Sequence, residues 1–148
     1  MLKAPPPLWA IALLIVFYFL SDLPMLARLP LWQSQIIGAA LIILGMLLPA
    51  TAITMFRRAG TEVSPTSKTN AKLITTGPYA LTRNPMYTGV IIASLGVALW
   101  FGRPLMFLTP LIIFVITNFV LIPFEEEKMR RQYGAEFDAY TKKVRRWL

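Results

Sequence analysis

Four apolar runs separated by short polar stretches set the pattern of the chain: residues 8–20 with an extension to 29, then 36–56, 86–101 and 105–124. The second and fourth reach about 20 residues, which at about 1.5 Å rise per residue crosses a hydrocarbon core of about 30 Å. The first and third are shorter and complete a span by thinning the bilayer or borrowing flanking residues. The pattern predicts an all-α integral membrane fold. Its elements are four transmembrane helices, one cytoplasmic loop and a C-terminal amphipathic helix, forming a single domain over 1–148. A signal peptide is the competing reading of the first run, but Pro5-Pro6-Pro7 breaks the approach and no small-x-small cleavage site follows. We therefore expect a retained first membrane helix. Pro49 and Pro110 are expected to mark kinks, and Gly89 with Ala93, and Gly38 with Ile42, to mark close helix packing.

Charge gives the orientation. Four spans place Lys3, the 57–85 loop with Arg57, Arg58, Lys68, Lys72 and Arg83, and the tail with Lys128, Arg130, Arg131, Lys142, Lys143, Arg145 and Arg146 on one side. The other side holds only Arg28 and Arg103. The positive-inside rule makes the loop and both termini cytoplasmic. Three spans would instead divide the two basic blocks between opposite faces.

Composition sharpens this picture. Of 148 residues, 56% are hydrophobic and 15% charged, against about 45–50% and about 25% in soluble domains, so lipid rather than water has to cover the excess. The net charge of +8 lies in blocks beside apolar runs, which favours a membrane surface over nucleic acid. Cysteine and histidine are both absent. That excludes disulfides and thiolate chemistry, and removes the commonest metal ligand and general base; no metal site is expected.

Two clusters carry candidate chemistry. The first closes the cytoplasmic loop over 72–89: Gly77-Pro78 is a turn signal, and Asn84-Pro85 places an extended residue before a proline that opens the third helix. Between and after these turns stand Tyr79, Arg83, Asn84 and Tyr87, two aromatic faces with a guanidinium and an amide between them. The alternative is an interfacial belt anchoring helix ends. The second cluster, over 125–147, opens with Glu125-Glu126-Glu127 where the fourth span ends. Carboxylates at a helix C-terminus oppose the dipole and call for a cation, either Arg130 and Arg131 one turn on or a cationic ligand. Met129, Tyr133, Phe137, Tyr140, Val144 and Trp147 follow at spacings of three and four. They form one apolar helical face, which lies on anionic lipid or covers the bundle.

Taken in order, Gly-Pro-Tyr, Arg-Asn-Pro-Met-Tyr-x-Gly, one membrane span pair, Glu-Glu-x-x-Met-x-x-x-Tyr-Gly-x-x-x-x-x-Tyr and a closing Val-Arg-Arg-Trp resemble the isoprenylcysteine carboxyl methyltransferase family, relatives of the phospholipid methyltransferases. The resemblance covers roughly residues 60–148. It implies an S-adenosylmethionine site on the cytoplasmic side and an amphipathic acceptor entering from the bilayer. By position it implies that Leu73 and Ile74 line the cofactor, that Tyr79 contacts it, and that Asn84, Pro85, Met86 and Tyr87 cradle it. The Glu pair Glu125 and Glu126 completes the set, Glu125 receiving the ammonium. Arg83 is a further candidate, for the cofactor's carboxylate, and Asn118 is a candidate polar contact for the acceptor or an interhelical hydrogen bond.

Two departures from the family pattern matter. Asn84 stands where the family has histidine, and an amide donates and accepts hydrogen bonds but is no base. Leu121 stands where the prenylcysteine enzymes carry an arginine for the substrate carboxylate, which argues against carboxyl methylation of a prenylated protein. Methyl transfer tolerates the absence of histidine, since displacement at an activated methyl needs a nucleophile held in line at about 3–3.5 Å more than a protein base. The expectation is S-adenosylmethionine-dependent methylation of a small lipid or amphiphile at the cytoplasmic face. The alternatives are a membrane reductase of the related sterol reductase fold using NADPH, a small four-helix exporter with Asp22 as its one ionisable candidate, and a non-catalytic membrane scaffold.

Overall fold

A computed structural model describes residues 5–23, 32–58 and 73–148 of the chain. Lys3, Arg28, Lys68, Lys72 and the 24–29 extension of the first run lie outside the described residues. Helix α1 spans Pro6–Leu20, with proline in its first turn, where a missing N–H forfeits no helical bond. Helix α2, Gln35–Arg58, runs on through Pro49, and α3, Pro85–Phe101, stops at Gly102 in the left-handed conformation (φ 69°, ψ 13°). A 3-10 turn at Pro104–Phe107 then leads into α4, Leu108–Ile116, a π-helical segment at Thr117–Leu121, and α5, Ile122–Tyr133. Every described regular element is helical.

Pro104–Tyr133 is one helical run of 30 residues, which continues past the apolar stretch ending at 124. The glutamates do not interrupt backbone hydrogen bonding; Gly134 does, at φ 52° and ψ −125°, a conformation that a side chain strongly disfavours. Beyond it comes α6, Ala135–Lys143. The π segment has a local cause as well. Pro123 would press its ring on the carbonyl of residue 119 in a regular helix, and the wider π turn, closed by Ile122 N–H to the Thr117 carbonyl, lies just ahead of it.

The helices alternate in direction. At one end the Gln33 amide donates to the Trp100 carbonyl at 3.0 Å, and Arg103 donates to the Tyr18 carbonyl at 3.1 Å and lies over the Tyr18 ring. At the other end the Phe56 and Tyr79 rings meet edge to face, and Arg83 pairs with Glu126. Arg57, Arg58, Arg83 and all the basic residues after 125 are therefore gathered at one end of the bundle, leaving Arg103 at the other among the described residues.

Helices α2 and α3 are joined by a seam of small residues. Gly38, Gly45 and Ala52, seven apart, are the buried residues of α2. A Cβ on Gly38 would lie 2.8 Å from the Gly96 carbonyl oxygen, one on Gly45 2.5 Å from the Ala93 nitrogen, and one on Gly89 2.5 Å from the Pro49 ring. The expectation of close packing at Gly38 and Gly89 is met, and the ring of Pro49 fits because Gly89 faces it. The outward surface is the reverse of a soluble protein's: Ile36, Ile43 and Leu47 on α2, Ile11, Val16 and Phe19 on α1, and Leu111, Phe119 and Phe124 on the long helical run are all exposed. Two helices, Gln35–Arg58 and the Pro104–Tyr133 run, are long and apolar enough to cross a membrane, while α1 and α3 are apolar but shorter.

Candidate functional site

The basic end of the bundle collects the two sequence clusters. Gly77, at φ 61° and close against the Met55 side chain of α2, starts a 3-10 turn over Gly77–Ala80 that presents Tyr79. Asn84 then precedes Pro85 at the first position of α3, and its carbonyl accepts both the amide and the hydroxyl of Thr88 at 3.0 Å. One turn into α3, the Tyr87 hydroxyl donates to Glu125 Oε1 at 2.5 Å. Tyr87 and Glu125 are half-buried, and among the described residues Glu125 makes no ion pair. Tyr79 belongs to the same group. Burial first, then the Tyr140 phenol and the Glu125 carboxylate, push its phenol well above the ordinary range. The Tyr140 hydroxyl donates to the Tyr79 carbonyl at 2.6 Å, and burial pushes its own pKa up to about 12, with the Arg83 guanidinium acting the other way.

A second group lies immediately beside the first. Glu126 Oε1 accepts from Arg83 Nη2 at 2.7 Å and from Arg146 Nε at 3.2 Å, while Oε2 accepts from Arg146 Nη2 at 2.6 Å. Arg83 also donates to the Val144 carbonyl at 2.6 Å and the Thr141 carbonyl at 3.3 Å. Its backbone amide reaches the Arg145 carbonyl at 2.9 Å. The Asn84 side chain does not cap α3; with the buried Thr82 hydroxyl it donates to the Arg146 carbonyl, at 3.1 and 2.9 Å. Trp147 completes the attachment, its indole N–H donating to Asn118 Oδ1 at 3.0 Å and its ring lying against Phe114.

The sequence-derived residues therefore fall into three places. Tyr79, Tyr87 and Glu125 converge. Arg83, Asn84, Glu126 and Asn118 all engage the 141–147 segment. Leu73 is buried against Phe137 and Tyr140, with Met129, Tyr133 and Val144 around them, while Ile74 is half-buried. Pro85 is fully enclosed in the first turn of α3, and Met86 is half-buried beside it. The apolar face expected on one helix from Met129 to Trp147 is instead assembled by folding α6 back at Gly134; its contacts lie within the protein, on Leu73, and Val144 is already extended. Arg130 and Arg131 compensate Glu127 and Asp138, the former at 4.0 and 2.9 Å, rather than the two glutamates before them. Thr82 was not singled out from the sequence, and Tyr140 and Arg146 were named only as an apolar-face position and a basic residue of the tail. Arg146 also stands in the closing Val144-Arg145-Arg146-Trp147. Among the described residues no group of histidine, cysteine, aspartate or glutamate is arranged to hold a metal ion.

Comparison with known proteins bears on this arrangement. The chain is 31% identical over 116 residues to a probable protein-S-isoprenylcysteine O-methyltransferase of Oryza sativa subsp. indica, covering 76% of this chain and 60% of that protein. It is 29% identical over 116 residues to protein-S-isoprenylcysteine O-methyltransferase B of Arabidopsis thaliana, covering 58% of that protein. An uncharacterized protein of Haemophilus influenzae is 35% identical over 63 residues, which is 43% of this chain and all of that protein. The chain thus spans about 60% of the length of the plant relatives. The family description "Phospholipid methyltransferase" matches residues 34–136. That stretch contains the α2–α3 seam, the Gly77-to-Tyr87 cluster and the glutamates, and the chain belongs to the phospholipid methyltransferase family.

Proposed function

We propose that this protein transfers a methyl group from S-adenosylmethionine to a small lipid or amphiphilic acceptor at the cytoplasmic face of a membrane. The observation that carries the reading is Glu125: a half-buried carboxylate with no ion-pair partner among the described residues, hydrogen-bonded to the Tyr87 phenol and close enough to influence that of Tyr79. Such a group suits an ammonium, and the adjacent aromatic faces suit a sulfonium or an adenine ring. The names of the plant relatives support methyl transfer. The outward apolar surface, over a seam of glycines, supports a bilayer around the bundle, since helices in lipid approach through small residues.

In this reading Glu125 receives the cofactor's ammonium, Tyr87 orients the carboxylate through its 2.5 Å hydrogen bond, and Tyr79 supplies the second aromatic face. Of the other residues expected from the sequence, half-buried Ile74 and Met86 are the remaining candidates for its walls, while Leu73, Asn84 and Pro85, enclosed or engaged within the protein, support the site from behind. S-adenosylmethionine, when bound, supplies a methyl already activated on a sulfonium. The residues then have to hold the acceptor in line and keep water out, which accords with a site lacking histidine and cysteine. Asn118 is the acceptor-side polar group of the sequence reading, and its oxygen is engaged by Trp147 here. The charge asymmetry supports four spans with the basic end and both termini cytoplasmic.

Titration calorimetry with S-adenosylhomocysteine in detergent tests the cofactor reading. The wild type should bind saturably, with Glu125→Gln and Tyr87→Phe each weakening affinity by roughly tenfold, the loss of one charge-assisted contact. A folded wild type that binds none would sink it. Because the chain has no cysteine, single cysteines placed near Arg58 and Arg103 and probed with an impermeant thiol reagent test the orientation.

A further inference from the structure

Glu125 and Glu126 are neighbours on one helix, about 100° apart around its axis, and their surroundings differ. Glu125 meets a phenol. Glu126 meets two guanidiniums, with side-chain exposures of 17% for Glu126, 14% for Arg83 and 32% for Arg146. Both of its oxygens are engaged, so a further cation arriving there would find its charge already compensated. The guanidiniums in turn depend on Glu126: without it, two like charges would face each other in a partly buried place.

What these groups connect is informative. Arg83 lies two residues before Pro85, and Tyr87 two residues after it, on the first turn of α3. Arg146 belongs to the segment whose carbonyls at 141, 144, 145 and 146 accept hydrogen bonds from Thr82, Arg83 and Asn84. Trp147 fastens the far end of that segment to Asn118 and Phe114. Glu126 therefore ties three things at one point: α5, the start of α3 and the 144–147 strap.

We propose that Glu126 is a positioning residue: through Arg83 and Arg146 it holds the 144–147 strap against the start of α3 and thereby keeps Tyr87 in register with Glu125. The proposal rests on the reading of Tyr87 and Glu125 as the cofactor's ammonium site, and it moves Glu126 and Arg83 from contacting the cofactor to setting the geometry of those that do. The strap has its own role in this scheme. Its carbonyls accept from Arg83 Nη1 and from the Arg83 backbone amide, leaving only the buried Nε without a partner, so strap and helix start are held together or released together.

The test uses the whole chain in detergent and S-adenosylhomocysteine as probe, with Tyr87→Phe as reference background. Glu126→Gln and Arg146→Gln should each weaken binding by about tenfold. In the Tyr87→Phe background the further loss from Glu126→Gln should shrink to about twofold or less, because the two residues act through one hydrogen bond. Additive losses would overturn the proposal. So would a loss in Glu126→Gln with Arg146→Gln unchanged, which would make Glu126 a direct ligand. A second readout does not depend on the cofactor: a nitroxide on Leu148→Cys, an exposed position in a chain without cysteine, should be immobile in the wild type and mobilised by either substitution. An unchanged spectrum would overturn the strap. Failure of the wild type to bind S-adenosylhomocysteine, with the nitroxide responding as expected, would sink the cofactor reading and leave Glu126 as holder of the strap.

Discussion

The α2–α3 seam and the junction of α3, α5 and the strap solve the same problem, holding helices in register, by opposite means. The seam brings backbones together by omission: Gly38, Gly45 and Gly89 leave no room for a side chain. The junction brings helices together by addition, with arginine, glutamate and asparagine side chains spanning from 83–84 to 126 and 144–146. A seam of glycines has almost no adjustable parts. A network of long side chains can be altered one group at a time, and it is the network that lies beside the Tyr79, Tyr87 and Glu125 group. The comparison teaches that the rigid contact is placed within the bundle, and the adjustable one where chemistry is expected.

Breaking the seam should have the largest effect. Gly45→Val would put a branched side chain where even a Cβ meets the Gly89 carbonyl oxygen at 2.6 Å and the Ala93 nitrogen at 2.5 Å. Backbone cannot yield as a side chain can, so a loss of about 3 kcal/mol or more is expected. Thermal unfolding in detergent, followed by circular dichroism, would show it. A melting temperature unchanged by Gly45→Val would mean that α2 and α3 are not in contact there.

At the junction a single substitution should cost less. Trp147→Phe keeps a ring against Phe114 but removes the N–H that reaches Asn118 at 3.0 Å. A loss of about 1 kcal/mol is expected, and Asn118→Ala combined with it should add only the longer 3.4 Å contact from Arg146 to the same oxygen, since both remove the Trp147 bond. Full additivity in the same unfolding assay would show that the two side chains are independent.

A substitution of similar cost sharpens the comparison through pH. Burial raises the Tyr140 phenol to about 12 in the folded protein, against about 10 when unfolded. The folded state thus holds its proton more tightly; that contribution is fully present below about pH 10 and is lost as pH rises through 12. Tyr140→Phe should cost about 1 kcal/mol near pH 8, through the lost bond to the Tyr79 carbonyl, and should flatten the loss of stability between pH 10 and 12. A wild type and variant with parallel alkaline curves would remove Tyr140 from the titration.

Much of the fold was legible because it rests on local properties. Apolar length marks α2 and the 104–133 run, Gly77-Pro78 marks the turn, and Asn84-Pro85 marks the start of α3. The helix boundary after the fourth run was not, because Glu125, Glu126 and Glu127 change polarity without changing helix geometry, whereas Gly134 changes geometry. The partners of the three glutamates were illegible for a different reason. Helical spacing offered Arg130 and Arg131, one turn away, and that suffices only for Glu127; Glu126 finds Arg83 and Arg146, 43 and 20 residues distant.

By itself, then, the sequence determined the helical class, the basic end, the absence of histidine and thiol chemistry, and the ordered motif that marks the family. These follow from composition, periodicity and turn chemistry, each of which acts over a few residues. Only the tertiary structure decided that Glu125 faces Tyr87 while its neighbour faces two arginines, and that the Asn84 side chain serves the strap rather than capping its own helix. Rotation about a helix axis and the return of the chain at Gly134 set those pairings, and both depend on how distant segments pack.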